Sequence, residues 1–259
     1  MILTPLYNPA RGIMRVAGFM SGTGSNLRKI IEHGKKIEAE KGRAPYEVVV
    51  ILTDNPDSKA LEIGGDYDID VIVRDIRKFY KDRGKPLSDL SVRTEFDREN
   101  VRILRPYRID VAAYAGYMAI ATAPLINAFL GVNVHPADLS VVDENGRRKY
   151  TGDNVVRDAI LARERQLRAS THIIEQKVDY GRILMISAPL VVELPEDFDF
   201  NNAELVKRVA KDHQDRLKEV GDWVIFPRTL EYIAVGRFAR DENGMIYFDG
   251  EPKPNGVRL

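Results

Sequence analysis

The chain has no cysteine. Disulfides, thiolate metal sites and cysteine nucleophiles are therefore excluded, and nothing argues for an oxidising compartment. Neither charge is in excess: 39 basic and 39 acidic residues give a formal net charge of +0. The composition offers no broad cationic field of the kind that holds nucleic acid nonspecifically, although a small local anion site is compatible with it. Long apolar runs are also missing. No stretch approaches the roughly 20 residues that cross a bilayer, and residues 1–13 lack the basic start and apolar core of a secretion signal. The expected location is cytoplasmic, with no membrane and no nucleic-acid partner. Histidine is scarce, four in 259 residues. No H-x-x-x-H or H-E-x-x-H pair occurs, so no metal site is expected.

What remains is ample for a real core: 259 residues, 44% hydrophobic and 30% charged. Residues 14–19 form a short apolar run that reads as a buried strand. It leads into Ser21-Gly22-Thr23-Gly24-Ser25-Asn26 and then into apolar positions at helical spacing. Residues 46–52 are the clearest strand, with consecutive β-branched side chains. Helices are expected over 58–67, 94–104, 124–129 and 153–163, with strands at 71–73, 110–114 and 131–134. Residues 138–150 read as a polar loop that turns at Asn145-Gly146. Strands at 169–175 and 183–192 precede helices at 202–220 and 223–234, and a hairpin turns at Asn243-Gly244. Alternating strands and helices predict an α/β fold: an open, mostly parallel sheet with helices on both faces and antiparallel or mixed additions in the C-terminal half. Residues 1–13 are taken as an extension before a single domain over 14–259. In that domain a phosphate-binding half (14–115) is followed by a catalytic half (116–236) and a hairpin (237–250).

Two patterns carry chemistry. A glycine turn between a strand and a helix gathers free backbone N–H groups at the positive end of the helix dipole, where a phosphate fits. Gly22 and Gly24 allow close approach, and Ser25 and Asn26 add side-chain donors. The spacing is neither G-x-G-x-x-G nor a Walker loop. The bland alternative is a tight turn that only caps a helix. The second pattern is G-V-N-V-H-P. Asn133 and His135 are two apart on an extended segment and so point the same way. An amide that donates to a carbonyl oxygen gaining negative charge, beside an imidazole that moves protons, suits acyl-type transfer. A carboxylate nearby would orient the ring and raise its pKa. Asp179, in the turn K-V-D-Y-G, is the nominee. The plain alternatives are a structural histidine, an amide that bonds loop backbone and an ordinary turn aspartate. His172 fits a satisfied core histidine, and His33 and His213 fit helix surfaces or boundaries.

Taken in order, F-M-S-G-T-G-S-N-L, R-T-E-F-D-R-E-N, D-V-A-A-Y-A-G-Y-M, N-V-H-P, K-Y-T-G and S-T-H-I-I-E-Q-K-V-D-Y-G-R-I-L resemble the phosphoribosylglycinamide formyltransferases, folate-dependent enzymes of purine synthesis. The resemblance covers roughly residues 14–240 and implies the Rossmann-like formyltransferase fold. It implies 10-formyltetrahydrofolate as cosubstrate, no metal, and glycinamide ribonucleotide as acceptor. Gly22, Thr23, Gly24, Ser25 and Asn26 would hold the substrate phosphate. Asn133 and a protonated His135 would stabilise the tetrahedral oxyanion, with Asp179 charging the histidine. Asp222 would contact the substrate amine. Tyr117, Met118, Ala119, Ile120, Val178, Tyr180 and Gly181 would border the folate, with His172, Arg93 and Lys149 in support. The chain departs from the family pattern at four places: A-D-L-S-V-V-D-E-N-G-R-R lengthens the loop after His135-Pro136, Ala119 stands where the family has Arg, V-D-Y-G-R differs from L-D-G-G-P, and Asp222 replaces Glu. These leave room for a different phosphorylated amine as acceptor, for a 10-formyltetrahydrofolate hydrolase, or for a catalytically silent folate or phosphate binder. The short segment before residue 14 disfavours the hydrolase, which has a preceding regulatory domain. The sequence does not specify oligomeric state.

Overall fold

The computed structural model describes residues 2–259. Along its first half run β1 (Thr4–Pro5), β2 (Met14–Met20), α1 (Ser25–Lys41), β3 (Tyr46–Thr53), α2 (Ala60–Tyr67), β4 (Asp70–Val73), α3 (Ile76–Asp82), α4 (Leu90–Leu104), β5 (Val111–Tyr114) and α5 (Ala123–Ala128). Then come β6 (Leu130–His135), α6 (Val155–Leu161), β7 (Gln166–Leu167), β8 (Ser170–Ile173), β9 (Ile183–Ile186) and β10 (Leu190–Val191). The chain closes with α7 (Ala203–Leu217), α8 (Trp223–Ala234), β11 (Phe238–Arg240), β12 (Ile246–Phe248), β13 (Glu251–Pro252) and β14 (Val257–Arg258).

Alternation within the strands sorts side chains to two covered faces. Val16 and Met20 of β2 pack on one side with Leu27, Ile30 and Ile31 of α1 and with Ile225, Phe226 and Leu230 of α8. Ala17 and Phe19 pack on the other with Leu104 of α4 and Leu125 of α5. Helix α1 buries Leu27, Ile30, Ile31, Gly34 and Ile37, a stripe at helical spacing. It stops at Gly42, which is left-handed and donates to the Glu38 carbonyl at 2.8 Å.

The eight-stranded sheet has the order β14-β9-β8-β6-β5-β2-β3-β4. Strands β4, β3, β2, β5 and β6 run parallel to one another, and β8 is antiparallel to both β6 and β9. The chain winds outward from β2 through β3 to β4, then returns to the other side of β2 as β5 and β6. That reversal opens a crevice at the strands' carboxyl ends, where open α/β sheets bind ligands. The ends of β2 and β6, with the glycine turn and His135, share that edge.

The parallel α/β sheet with antiparallel additions is as expected from sequence, and so are the hairpins at Gly146 and Gly244, both left-handed. Four features differ. Helix α3 lies where no element is expected; Asp75 caps it by accepting from Lys78 N at 2.9 Å, and Phe79 and Tyr80 pack on Val92 and Phe96 of α4. Thr4–Pro5 pairs with β11, so the N-terminal segment is part of a small four-stranded sheet. Val257–Arg258 joins the edge of the main sheet beside β9. Helices α7 and α8 are bridged by a π-helical turn, Lys218–Asp222.

Candidate active site

Strand β2 ends at Met20, and Gly24, left-handed at φ 69°, ends the turn before α1. Three of the turn's carbonyls are taken by the protein. Asn55 Nδ2 donates to Ser21 O at 2.9 Å, Lys59 N to Gly22 O at 3.0 Å and Arg28 N to Gly24 O at 2.9 Å. Among the described residues, no protein acceptor takes the backbone N–H of Gly22, Thr23 or Gly24. With those three carbonyls engaged and three N–H groups left over, the turn has the polarity that suits an anion. The two glycines serve different ends. A Cβ on Gly22 would meet nothing within 4 Å, whereas one on Gly24 would lie 2.4 Å from Ile63 Cδ1 and 2.8 Å from Met20 Cε. Only Gly22 therefore leaves room on a ligand side; Gly24 is demanded by the fold beneath it.

Asn26 Nδ2 donates one N–H to Asp222 Oδ2 at 3.3 Å. Asp222, on the π-helical turn, is 5% exposed. Burial pushes its carboxyl up to about 7, against the opposing hydrogen bond from Asn26 and the charge of Lys218. Asp222 thus abuts the glycine turn.

Asn133 and His135 share a face of β6. The register sets Asn133 opposite His172 on β8 and His135 opposite Ser170. By that register β8 ends beside the start of β6, so the β8–β9 connection must fold back over the sheet to bring Asp179 to its far end. It does: Asp179 Oδ1 is 3.6 Å from both His135 Nδ1 and His172 Nε2. His172 Nδ1–H donates to Ile173 O at 2.9 Å, which leaves its Nε2 to accept from Asn133 Nδ2 at 3.2 Å. The histidine thereby orients the amide. Asp179 Oδ2 accepts from Gly152 N at 2.9 Å. Burial opposes ionisation of Asp179, but His172, the charge of His135 and the Gly152 N–H outweigh it and hold the carboxyl below its ordinary value. His135 Nε2–H donates to Tyr150 O at 3.2 Å.

For His135 two effects compete. Burial lowers its pKa below the ordinary value, and the carboxylate of Asp179 only partly offsets this. Burial thus favours the uncharged ring, whose single N–H goes to Tyr150 O while Nδ1 faces Asp179.

The remaining residues divide. Tyr117 is buried, while Met118, Ile120 and Val178 are exposed. Met118 N donates to Ser21 Oγ at 2.9 Å, which fastens the 116–120 turn to the glycine turn. Gly181 admits no side chain, since a Cβ would fall 1.7 Å from Ile173 O. Arg93 is buried, donating from Nε to Tyr80 Oη at 3.3 Å. Lys149 pairs with Glu164 at 2.8 Å rather than with the Asn133–His135–Asp179 group. His213, expected near the surface, is 1% exposed and satisfied by Val209 O and Glu193 N. Sequence patterns missed the Tyr150 carbonyl and the Gly152 N–H, because backbone groups carry no residue-type signal.

A family model, formyl transferase, matches residues 14–220. The trifunctional purine biosynthetic protein adenosine-3 of Drosophila melanogaster is 29% identical over 86% of this chain, and the chloroplastic phosphoribosylglycinamide formyltransferase of Arabidopsis thaliana is 30% identical over 80%. The chain spans 14% and 63% of those two proteins' lengths. The solved phosphoribosylglycinamide formyltransferase of Coxiella burnetii superposes with a TM-score of 0.67 at 22% identity, over 95% of this chain and 99% of that one. The structural likeness concerns the fold, and the sequence match through both the glycine turn and the Asn133–His135–Asp179 group places the chain in the formyl transferase family.

Proposed function

We propose that the protein transfers the formyl group of 10-formyltetrahydrofolate to the amine of glycinamide ribonucleotide. The convergence of Asn133, His135, His172 and Asp179 at the end of β6, on the same sheet edge as the glycine turn, carries this reading. The 5′-phosphate would sit on the N–H groups of Gly22, Thr23 and Gly24, with Asn26 and Asp222 beneath. The folate would lie between Tyr117, Met118, Ala119, Ile120 and the Val178, Tyr180, Gly181 turn. The amine attacks the formyl carbon and forms a C–N bond. Oxygen gains the carbonyl electron pair, and the second N–H of Asn133 donates to it. The amine proton passes to neutral His135, whose imidazolium is stabilised by Asp179; collapse breaks the bond to N10, which takes that proton from His135. Electrons and protons balance with no cofactor beyond the folate. This sequence needs His135 uncharged at the start, in keeping with its burial. Among the described residues no helix is long and apolar enough to cross a membrane.

The decisive experiment follows release of tetrahydrofolate spectroscopically with and without glycinamide ribonucleotide. Amine-dependent release is expected. Release without the amine would make the protein a hydrolase, and no release under either condition would make it a binder or a formyltransferase for another amine.

A further inference from the structure

The lengthened loop after His135 returns to the active site along residues 148–152, and alternate residues of that return grip the Asn133–His135–Asp179 group. Gly152 N donates to the Asp179 carboxylate, and the Tyr150 carbonyl accepts from His135. Arg148, the last residue of the extra segment, reaches the turn that carries Asp179. Its Nη1 donates to Asp179 O and its Nη2 to Gly181 O at 2.9 Å. We propose that Arg148 is a positioning residue, whose guanidinium fork locks the Asp179 turn so that the carboxylate faces His135 and His172.

Three observations carry this inference, which rests on the functional reading above. First, the turn needs holding. Asp179 is left-handed at φ 58°, a conformation that costs a non-glycine residue about 1 kcal/mol. Tyr180 N to Lys177 O, at 3.1 Å, is the turn's own hydrogen bond. Second, the fork suits the task. Two carbonyls two residues apart match two N–H groups on one rigid plane, which a lysine ammonium cannot reproduce. The guanidinium also lies 5.6 Å from the centre of the Tyr180 ring. Third, the arm holding Arg148 is itself built. Val142 bridges Arg148 across the hairpin, Lys149 N donates to Val141 O at 3.0 Å, and Asp143 N to Arg147 O at 2.8 Å. Asp143 Oδ1 collects the N–H groups of Asn145 and Arg147, both at 2.9 Å. The inserted residues therefore form a strut that ends at the Asp179 turn.

A double-mutant cycle separates positioning from general support. Arg148→Met should lower kcat about 10- to 100-fold, the loss expected when a reacting group is misplaced by a fraction of an ångström to an ångström, and leave KM within about threefold. Arg148→Lys should recover only part of kcat. In an Asp179→Asn background, Arg148→Met should cost nothing further. An unchanged kcat in the single variant, or additive losses in the double, would overturn the proposal. A second readout needs no turnover: amide exchange at Gly152 and Tyr180 should quicken in Arg148→Met while α1 amides stay protected. If the wild-type protein transfers no formyl group, the functional reading fails, and this exchange measurement alone decides the role of Arg148. Unchanged exchange at both amides would overturn it.

Discussion

His135 shows how two neighbours and a buried setting divide control of one ring. Tyr150 O at 3.2 Å and Asp179 Oδ1 at 3.6 Å are both acceptors, so they favour an imidazolium, while burial favours the neutral form and prevails. Activity should then sit on a plateau at neutral pH and fall as pH drops through a value below the ordinary 6.5. A profile that instead loses activity as pH rises through the neutral range would mean that the charged ring is the working form. His135→Ala should cut kcat by about 10²–10⁴, the usual worth of a positioned acid–base group, with phosphate-ligand affinity nearly intact. Asp222 gives a second test at this scale. Its folded pKa, about 7, lies above the ordinary 3.8. The folded state therefore binds a proton that the unfolded chain has already lost between those values, and stability declines as pH rises from about 4 toward 7. Asp222→Asn removes the titrating group but keeps its shape. The variant should match wild type in urea at pH 4 and exceed it by a few kcal/mol, in order of magnitude, at pH 8. Equal midpoints at both pH values would show that the buried carboxyl carries no such load.

The glycine turn is an element whose composition was plain in the sequence but whose two glycines could not be told apart there. Local φ and the identity of tertiary neighbours separate them: Gly24 is left-handed over Ile63 and Met20, and Gly22 opens outward. Gly22→Val should leave stability within about 0.5 kcal/mol, as surface changes do, and weaken binding of glycinamide ribonucleotide at least about tenfold by filling the space where the anion lies. Gly24→Val should instead cost about 1–3 kcal/mol of stability through overpacking and backbone strain. Reversed outcomes, read by calorimetry and thermal melting, would place the anion elsewhere. The same limit governs the rest of the fold. Strands β2 and β3, with their apolar runs, and α1, with its buried stripe, were readable because burial and period coincide in each. Helix α3 was not: its sequence, I-R-K-F-Y-K-D, offers only Ile76, Phe79 and Tyr80 as an apolar face, and those positions gain meaning from Phe96 across the gap. Asn133 and His135 were legible as a pair because period two fixes their common face. The reach of Asp179 depended on a connection folding back over the sheet, which spacing does not encode.

At the scale of the molecule, the C-terminal segment closes back onto the β9 edge of the main sheet. Val257–Arg258 pairs with Met185 and Ile186, and Leu259 N donates to Ile186 O at 3.0 Å. From there Arg258 reaches the start of the lengthened loop, donating to Asp138 Oδ2 at 3.0 Å and Ser140 Oγ at 2.7 Å. Asp138 also binds Ser140 N at 3.0 Å, and Leu139 N donates to Ser170 Oγ at 3.1 Å on β8. The loop is thus tethered at its start by the tail and at its end by the grip of residues 148–152 on His135 and Asp179. The tail contributes two strand residues and one partly exposed ion pair, so its loss is expected to cost little global stability. The loop's start, by contrast, would lose its outer anchor. Removing residues 256–259 should lower the melting temperature by only a few degrees and speed amide exchange at Ser140 and Val141. It should reduce kcat by about two- to tenfold through looser placement of the loop. Phosphate affinity at Gly22 and Gly24, on the far side of β5, should not change. Wild-type exchange at Ser140 and Val141 in the shortened chain would show that Leu139 and Ser170 hold the loop unaided, and that the tail merely finishes the sheet edge.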